Sequence, residues 1–183
     1  MKTGWEEFVF RLTSKCALFI IQSVYTRNDK EESILMMKQI EEIYPKPSSP
    51  CNCMNIHRAS RAVVKFYDNR IKPSGITIAQ LGLLRYIEAL EPVTISALAK
   101  QMRIDRTTLN RNLKPLAAAK MLAITPGEDS RTKQVALTEP GKKAIAQAGA
   151  LWAEAQRLLN EYLGEADLHK FIELMAKLEA LVP

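Results

Sequence analysis

Two short runs of alternating polarity, residues 121–125 and 133–137, flank the segment Pro126-Gly127-Glu128-Asp129-Ser130-Arg131. Runs of this kind around a Pro-Gly pair read as an antiparallel hairpin with a charged tip. It is the one convincing β signal in a chain whose apolar residues otherwise recur at helical spacing. The expected fold is therefore mainly α with a small β-hairpin wing (α+β), and the helices around the hairpin decide what the wing serves.

Ahead of the hairpin the helical pattern is broken at legible points. Ile56, Ala59, Val63, Phe66, Tyr67 and Ile71 share one helical stripe, and Pro73-Ser74-Gly75 stops it. Thr77 is placed to cap a second helix with Ile78, Leu81, Leu84, Ile87 and Leu90 inward. Pro92 and Thr94 open a short third helix through Met102, and Asp105 opens a fourth to about Lys120. Beyond the hairpin, Thr138-Glu139-Pro140 caps a long helix that Gly164 ends. Leu168, Phe171, Ile172, Met175, Leu178 and Leu181 line a final one.

Three prolines and two serines in residues 44–50 separate residues 1–50 from the rest. That N-terminal part has as many acidic as basic side chains and reads as two helices, 5–25 and 30–43, the first apolar nearly all round and suited to burial. The expected division is thus an N-terminal extension (1–50), two helices (51–91), a helix-turn-helix with its hairpin (92–141) and C-terminal helices (142–183). The longest apolar stretch, residues 16–26, is about half the roughly 20 residues a bilayer span needs. Three cysteines make no disulfide framework in 183 residues and fit a reducing compartment. A soluble cytoplasmic protein is expected.

The tight turn between the third and fourth helices carries the functional signal. In a helix-turn-helix the second helix lies in the DNA major groove with its N-terminal half toward the bases. Leu98, Ala99 and Met102 supply the buried side of the first helix, and Ile104, Leu109 and Leu113 that of the second. The outward face then holds Arg106, Thr107, Asn110, Arg111 and Lys114, with Thr108 beside them. Arginine matches guanine O6/N7, asparagine adenine N6/N7, and threonine a phosphate or thymine methyl. Residues 92–141 carry eight basic and four acidic side chains, and so four of the chain's six net positive charges. At the hairpin tip Asp129 can orient Arg131 toward a minor groove while Lys133 adds charge.

Together these segments resemble a known family. Residues 105–116 (DRTTLNRNLKPL), then Asp129-Ser130-Arg131 and Leu137-Thr138-Glu139-Pro140-Gly141, are similar to the recognition helix and wing of the MarR (multiple antibiotic resistance regulator) family, over about residue 51 to the C-terminus. The resemblance implies a winged helix-turn-helix on a helical dimerisation pedestal. It further implies a homodimer reading a pseudo-palindromic double-stranded DNA operator, usually as a repressor released by a small ligand or an oxidant. Two positions depart from the pattern. Arg103 stands where glycine is frequent, so a positive φ there is either strained or avoided. Pro115 lies inside the recognition helix and removes its bond to the Arg111 carbonyl.

Cys51 and Cys53, with His57 nearby, admit an oxidisable thiol pair, a metal site one ligand short of a tetrahedral set, or plain reduced thiols. The resemblance also suggests an aromatic or amphipathic effector near His57, Arg58, Arg61 and Tyr86, although Arg58 and Arg61 equally suit intersubunit ion pairs. No cofactor motif, phosphate loop or nucleophile elbow supports an enzyme. The rival reading is a winged-helix module that binds protein and not DNA; such modules usually lack the outward Arg/Asn set and the basic wing.

Overall fold

A computed structural model describes residues 49–127 and 132–181. The expected helices 5–25 and 30–43, and the hairpin tip with Asp129 and Arg131, lie outside those residues.

Helix α1 (Asn52–Ile71) starts where Ser49 and Asn55 clamp each other. The Ser49 N–H donates to Asn55 Oδ1 and Asn55 Nδ2 donates to the Ser49 carbonyl, both at 2.8 Å. A 3-10 turn (Lys72–Ser74) follows α1, with Pro73 early and Gly75 left-handed at φ 76. Helix α2 (Ile78–Leu90) opens on a full capping box between Thr77 and Gln80. The Asp68 carboxylate accepts the Ile78 N–H at 2.7 Å, satisfying another donor that the helix itself leaves open.

The next element corrects the sequence reading. Val93–Thr94 form a strand, β1, so the sheet has three strands and not two. A two-residue strand has no periodicity to read, and Thr94 also serves as N-cap of α3 (Ile95–Gln101), accepting the Ala97 N–H at 3.2 Å. Helix α4 (Arg106–Ala118) is followed by β2 (Leu122–Pro126) and β3 (Lys133–Leu137). The antiparallel order is β1-β3-β2, with Val135 of β3 opposite Val93 on one side and Ile124 on the other. The Glu91 carboxylate accepts the Leu137 N–H at 2.5 Å and so ties β3 to the end of α2. Helix α5 (Glu139–Glu179) is interrupted at Gly164, whose φ of 73 and ψ of 161 only glycine adopts readily.

Residue contacts divide the chain into two units. One is Ser60–Trp152, with its own core. Ile71, Leu81, Leu84, Ile87, Leu98, Leu109, Leu113, Leu116 and Val135 are fully buried there. Burying each such side chain contributes roughly 1.5–3 kcal/mol relative to exposure. In α2, Leu83 is buried and Leu90 exposed, the reverse of the expected stripe at those two positions. In α1 only Tyr67 and Ile71 are buried, whereas Ile56 and Ala59 are exposed. The other unit, among the described residues, comprises 49–59 and 153–181. Its α5 segment buries Ala155 and Leu158 and leaves Tyr162, Phe171, Ile172 and Leu174 exposed.

Candidate nucleic-acid interface

The turn between α3 and α4 is built from a closed set of backbone bonds. Met102 N–H donates to the Leu98 carbonyl at 2.9 Å, Arg103 N–H to Lys100 at 3.2 Å, and Ile104 N–H to Ala99 at 3.1 Å. The last two are the paired bonds of a Schellman ending, which requires a left-handed residue. That residue is Arg103, at φ 51. The departure noted in the sequence therefore resolves as positive φ accepted by an arginine. Ala99 is buried, on the inward side that the sequence assigns to it.

Asp105 then caps α4 twice over. Its Oδ1 accepts the Thr108 N–H at 2.8 Å and its Oδ2 accepts the Thr108 hydroxyl at 2.6 Å. These bonds, the hydroxyl's first, hold the Asp105 carboxyl below its ordinary pKa. The Thr108 hydroxyl, grouped in the sequence with the groove-facing residues, is thus engaged in the cap.

Leu109, Leu113 and Leu116 anchor α4 inward with almost no exposure. Helical geometry then fixes the opposite face. Arg106, Thr107, Arg111 and Lys114 are exposed and Asn110 is half-buried. Among the described residues no ion pair engages Arg106, Arg111 or Lys114. Pro115 sits inside α4 without ending it; the helix runs on to Ala118. Lys133 is exposed at the start of β3, opposite Pro126.

The candidate sensing residues are spread differently. Cys51 and Cys53 are exposed where α1 begins, and the Cys51 N–H donates to Ser49 Oγ at 3.1 Å. His57 is exposed and Arg58 half-buried, both in the unit holding residues 49–59. Arg61 is exposed and Tyr86 is packed against the core of Ser60–Trp152. No group of three or more His, Cys, Asp or Glu side chains that could hold a metal ion occurs among the described residues. The sequence reading passed over Arg85, beside Tyr86, whose guanidinium carbon lies 4.4 Å from the centre of the Trp152 ring. Only the fold brings those two together; nothing in their spacing signals it.

Comparison with known proteins gives concordant results. The MarR family model matches residues 74–131, which take in α2, β1, α3, α4 and β2. In the crystal structure of the M. tuberculosis transcriptional regulator MosR in complex with DNA, the protein is 30% identical, with a TM-score of 0.63. That match covers 73% of this chain and 99% of MosR. The chain belongs to the MarR family. Among curated relatives of this MarR-family chain, SarZ of Staphylococcus aureus is 32% identical over 91 residues, 49% of this chain and 62% of SarZ. The uncharacterized HTH-type transcriptional regulator YwoH of Bacillus subtilis is 25% identical over 88 residues, 48% of this chain and 64% of YwoH. The matched stretches thus span less than two thirds of either curated relative. No helix among the described residues is long and apolar enough to cross a membrane.

Proposed function

We propose that this protein is a sequence-specific, double-stranded DNA-binding transcription regulator. The observation that carries the reading is the outward face of α4. Arg106, Thr107, Arg111 and Lys114 are exposed, the three cations are outside any ion pair among the described residues, and all stand on a helix that Asp105 caps at the end of a helix-turn-helix. A solvated surface helix commonly offsets its cations with acidic neighbours at helical spacing; α4 contains no acidic residue. In this reading Arg106, Arg111 and Asn110 read base edges, Thr107 and Lys114 hold phosphates, Thr108 orients the helix start, and Lys133, with Arg131 steadied by Asp129, supports a wing contact in the adjacent groove. The DNA-bound MosR relative supports this assignment.

The protein acts as a homodimer on a pseudo-palindromic operator, as a repressor in the cytoplasm. Support comes from the last segment of α5, where Phe171, Ile172, Leu174 and Leu178 are exposed, and from Leu181, exposed just beyond it. Apolar side chains in such number along one segment fit burial against a second copy. Release follows a small amphipathic ligand or an oxidant, with Cys51, Cys53, His57, Arg58, Arg61 and Tyr86 as the residues through which the signal enters. The exposed thiols at the start of α1 support the oxidant branch.

The test is selection of genomic fragments by the purified protein, followed by affinity measurements over a range of salt. Enrichment of fragments sharing an inverted repeat, bound far more tightly than unrelated duplex, is the expected result. Uniform weak binding to every duplex overturns the specific-regulator reading.

A further inference from the structure

Each helix of the α3–α4 pair ends through a left-handed residue, and both times that residue is a cation. Arg103 (φ 51) follows α3 and Lys120 (φ 57) follows α4, the two non-glycine residues with positive φ among those described. The bonding is the same at both ends. Lys120 N–H donates to Ala117 and Met121 N–H to Leu116, each at 2.9 Å, repeating the Arg103 and Ile104 pair. Glycine adopts this conformation without crowding a Cβ, so the chain retains strain at two positions where the commonest residue would remove it.

For Lys120 the helix supplies a reason. The last turn of the 13-residue α4 contains no basic residue, so Lys120 is the cation that complements its C-terminal carbonyls. That reason does not extend to Arg103. The seven-residue α3 already has Lys100 in its last turn. Asp105, two residues on, does not call for Arg103 either, because both its carboxylate oxygens are bonded to Thr108. Arg103 is exposed, and no ion pair engages it among the described residues. It is also held at the N-terminal end of α4, the end a recognition helix points into the groove. Lys120 is at the other end, about 20 Å away along a 13-residue helix.

We propose that Arg103 is a DNA-backbone contact, its guanidinium gripping a phosphate at the edge of the groove that α4 enters. The assignment rests on the DNA-binding function proposed above. A planar guanidinium matches two phosphate oxygens at once, and the strained backbone is kept because a left-handed glycine would leave that phosphate uncontacted. Such a contact sets the register of α4 and is blind to sequence.

Because a phosphate contact is sequence-independent, a short mixed-sequence duplex serves as the probe. Its affinity is measured against salt for the full chain, for Arg103→Gly and for Lys120→Gly, alongside thermal unfolding. Arg103→Gly is expected to unfold at the same or a higher temperature than the parent while its salt slope falls by about one per subunit. Lys120→Gly is expected to keep the parental slope. An unchanged slope in Arg103→Gly overturns the assignment, and so does an equal loss in both variants, which would mark a generic charge effect. If the parent shows no salt-dependent duplex binding, the DNA-binding function falls and this contact with it.

Discussion

Asp105 holds Thr108 at two points, accepting the backbone N–H on one carboxylate oxygen and the hydroxyl on the other. Both bonds form only with the carboxylate in place, which is why the Asp105 pKa is lowered. A group with a depressed folded pKa stabilises fully above its unfolded value and loses that contribution as pH falls through the folded value. The parent protein should therefore keep this contribution from neutral pH down to about pH 4, the ordinary aspartate value, and lose it as the pH falls further below that. Asp105→Ala should unfold at a lower temperature at neutral pH and show a flatter dependence over that lower range. A variant whose pH profile superimposes on the parent's would show that the cap contributes nothing to the fold.

Arg111 and Lys114 share the exposed face of α4 but are predicted to act differently. Arg111→Ala should weaken binding to the selected operator by roughly 1–3 kcal/mol and relax preference at one base position. Lys114→Ala should weaken operator and unrelated duplex alike and lower the salt slope by about one. Titration of each variant against both duplexes separates the roles. Equal losses on operator and unrelated DNA for Arg111→Ala would remove it from base reading.

Gly141 lies against the backbone of Met121: a Cβ there would stand 2.0 Å from the Met121 carbonyl oxygen. That same oxygen accepts the Thr138 N–H at 3.2 Å, so the start of α5 is seated on the end of the α4–β2 turn. The carbonyl cannot retreat without giving up that bond. Gly141→Ala should destabilise the protein by roughly 1–3 kcal/mol or more, in the manner of an overpacked core. Urea unfolding measures it; a midpoint within error of the parent's would mean that the turn yields freely.

Much of this arrangement is legible in the sequence, and the parts that are not have a common physical cause. Thr77, Asp105 and Thr138 announced helix starts because capping is a local bond, made within three residues. The inward set Leu109 and Leu113 followed from helical period alone. By contrast, β1 exists because Val93 pairs with Val135, more than forty residues away. Leu83 is buried and Leu90 exposed because surrounding elements, not period, set the width of the covered face of α2. The Glu91 bond to Leu137 and the contact of Arg85 with Trp152 likewise span long stretches of chain. Of the candidate interface, the α4 face was readable because one helix contains all of it.

Arg85 sets two opposed effects against each other. Its guanidinium gains from the Trp152 ring, an attraction worth about 0.5–2 kcal/mol when partly desolvated. Its Nε is buried with no hydrogen-bond partner, a cost of about 1–3 kcal/mol. Burial accordingly pulls the Arg85 pKa down, against the opposing pull of Glu88. Gly149 lies beside this packing: a Cβ there would meet an Arg85 terminal nitrogen at 3.4 Å, an ordinary contact. With the charge effects nearly cancelling, what Arg85 chiefly supplies is the apolar stem. Arg85→Met keeps a stem of similar length and should change stability by less than about 1.5 kcal/mol. Arg85→Ala should cost more, roughly 2 kcal/mol, because it removes the stem as well. Urea unfolding at one protomer concentration compares them. If Arg85→Met proved as damaging as Arg85→Ala, the guanidinium over Trp152 would outweigh its unpaired Nε, and the near-cancellation argued from the geometry would be wrong.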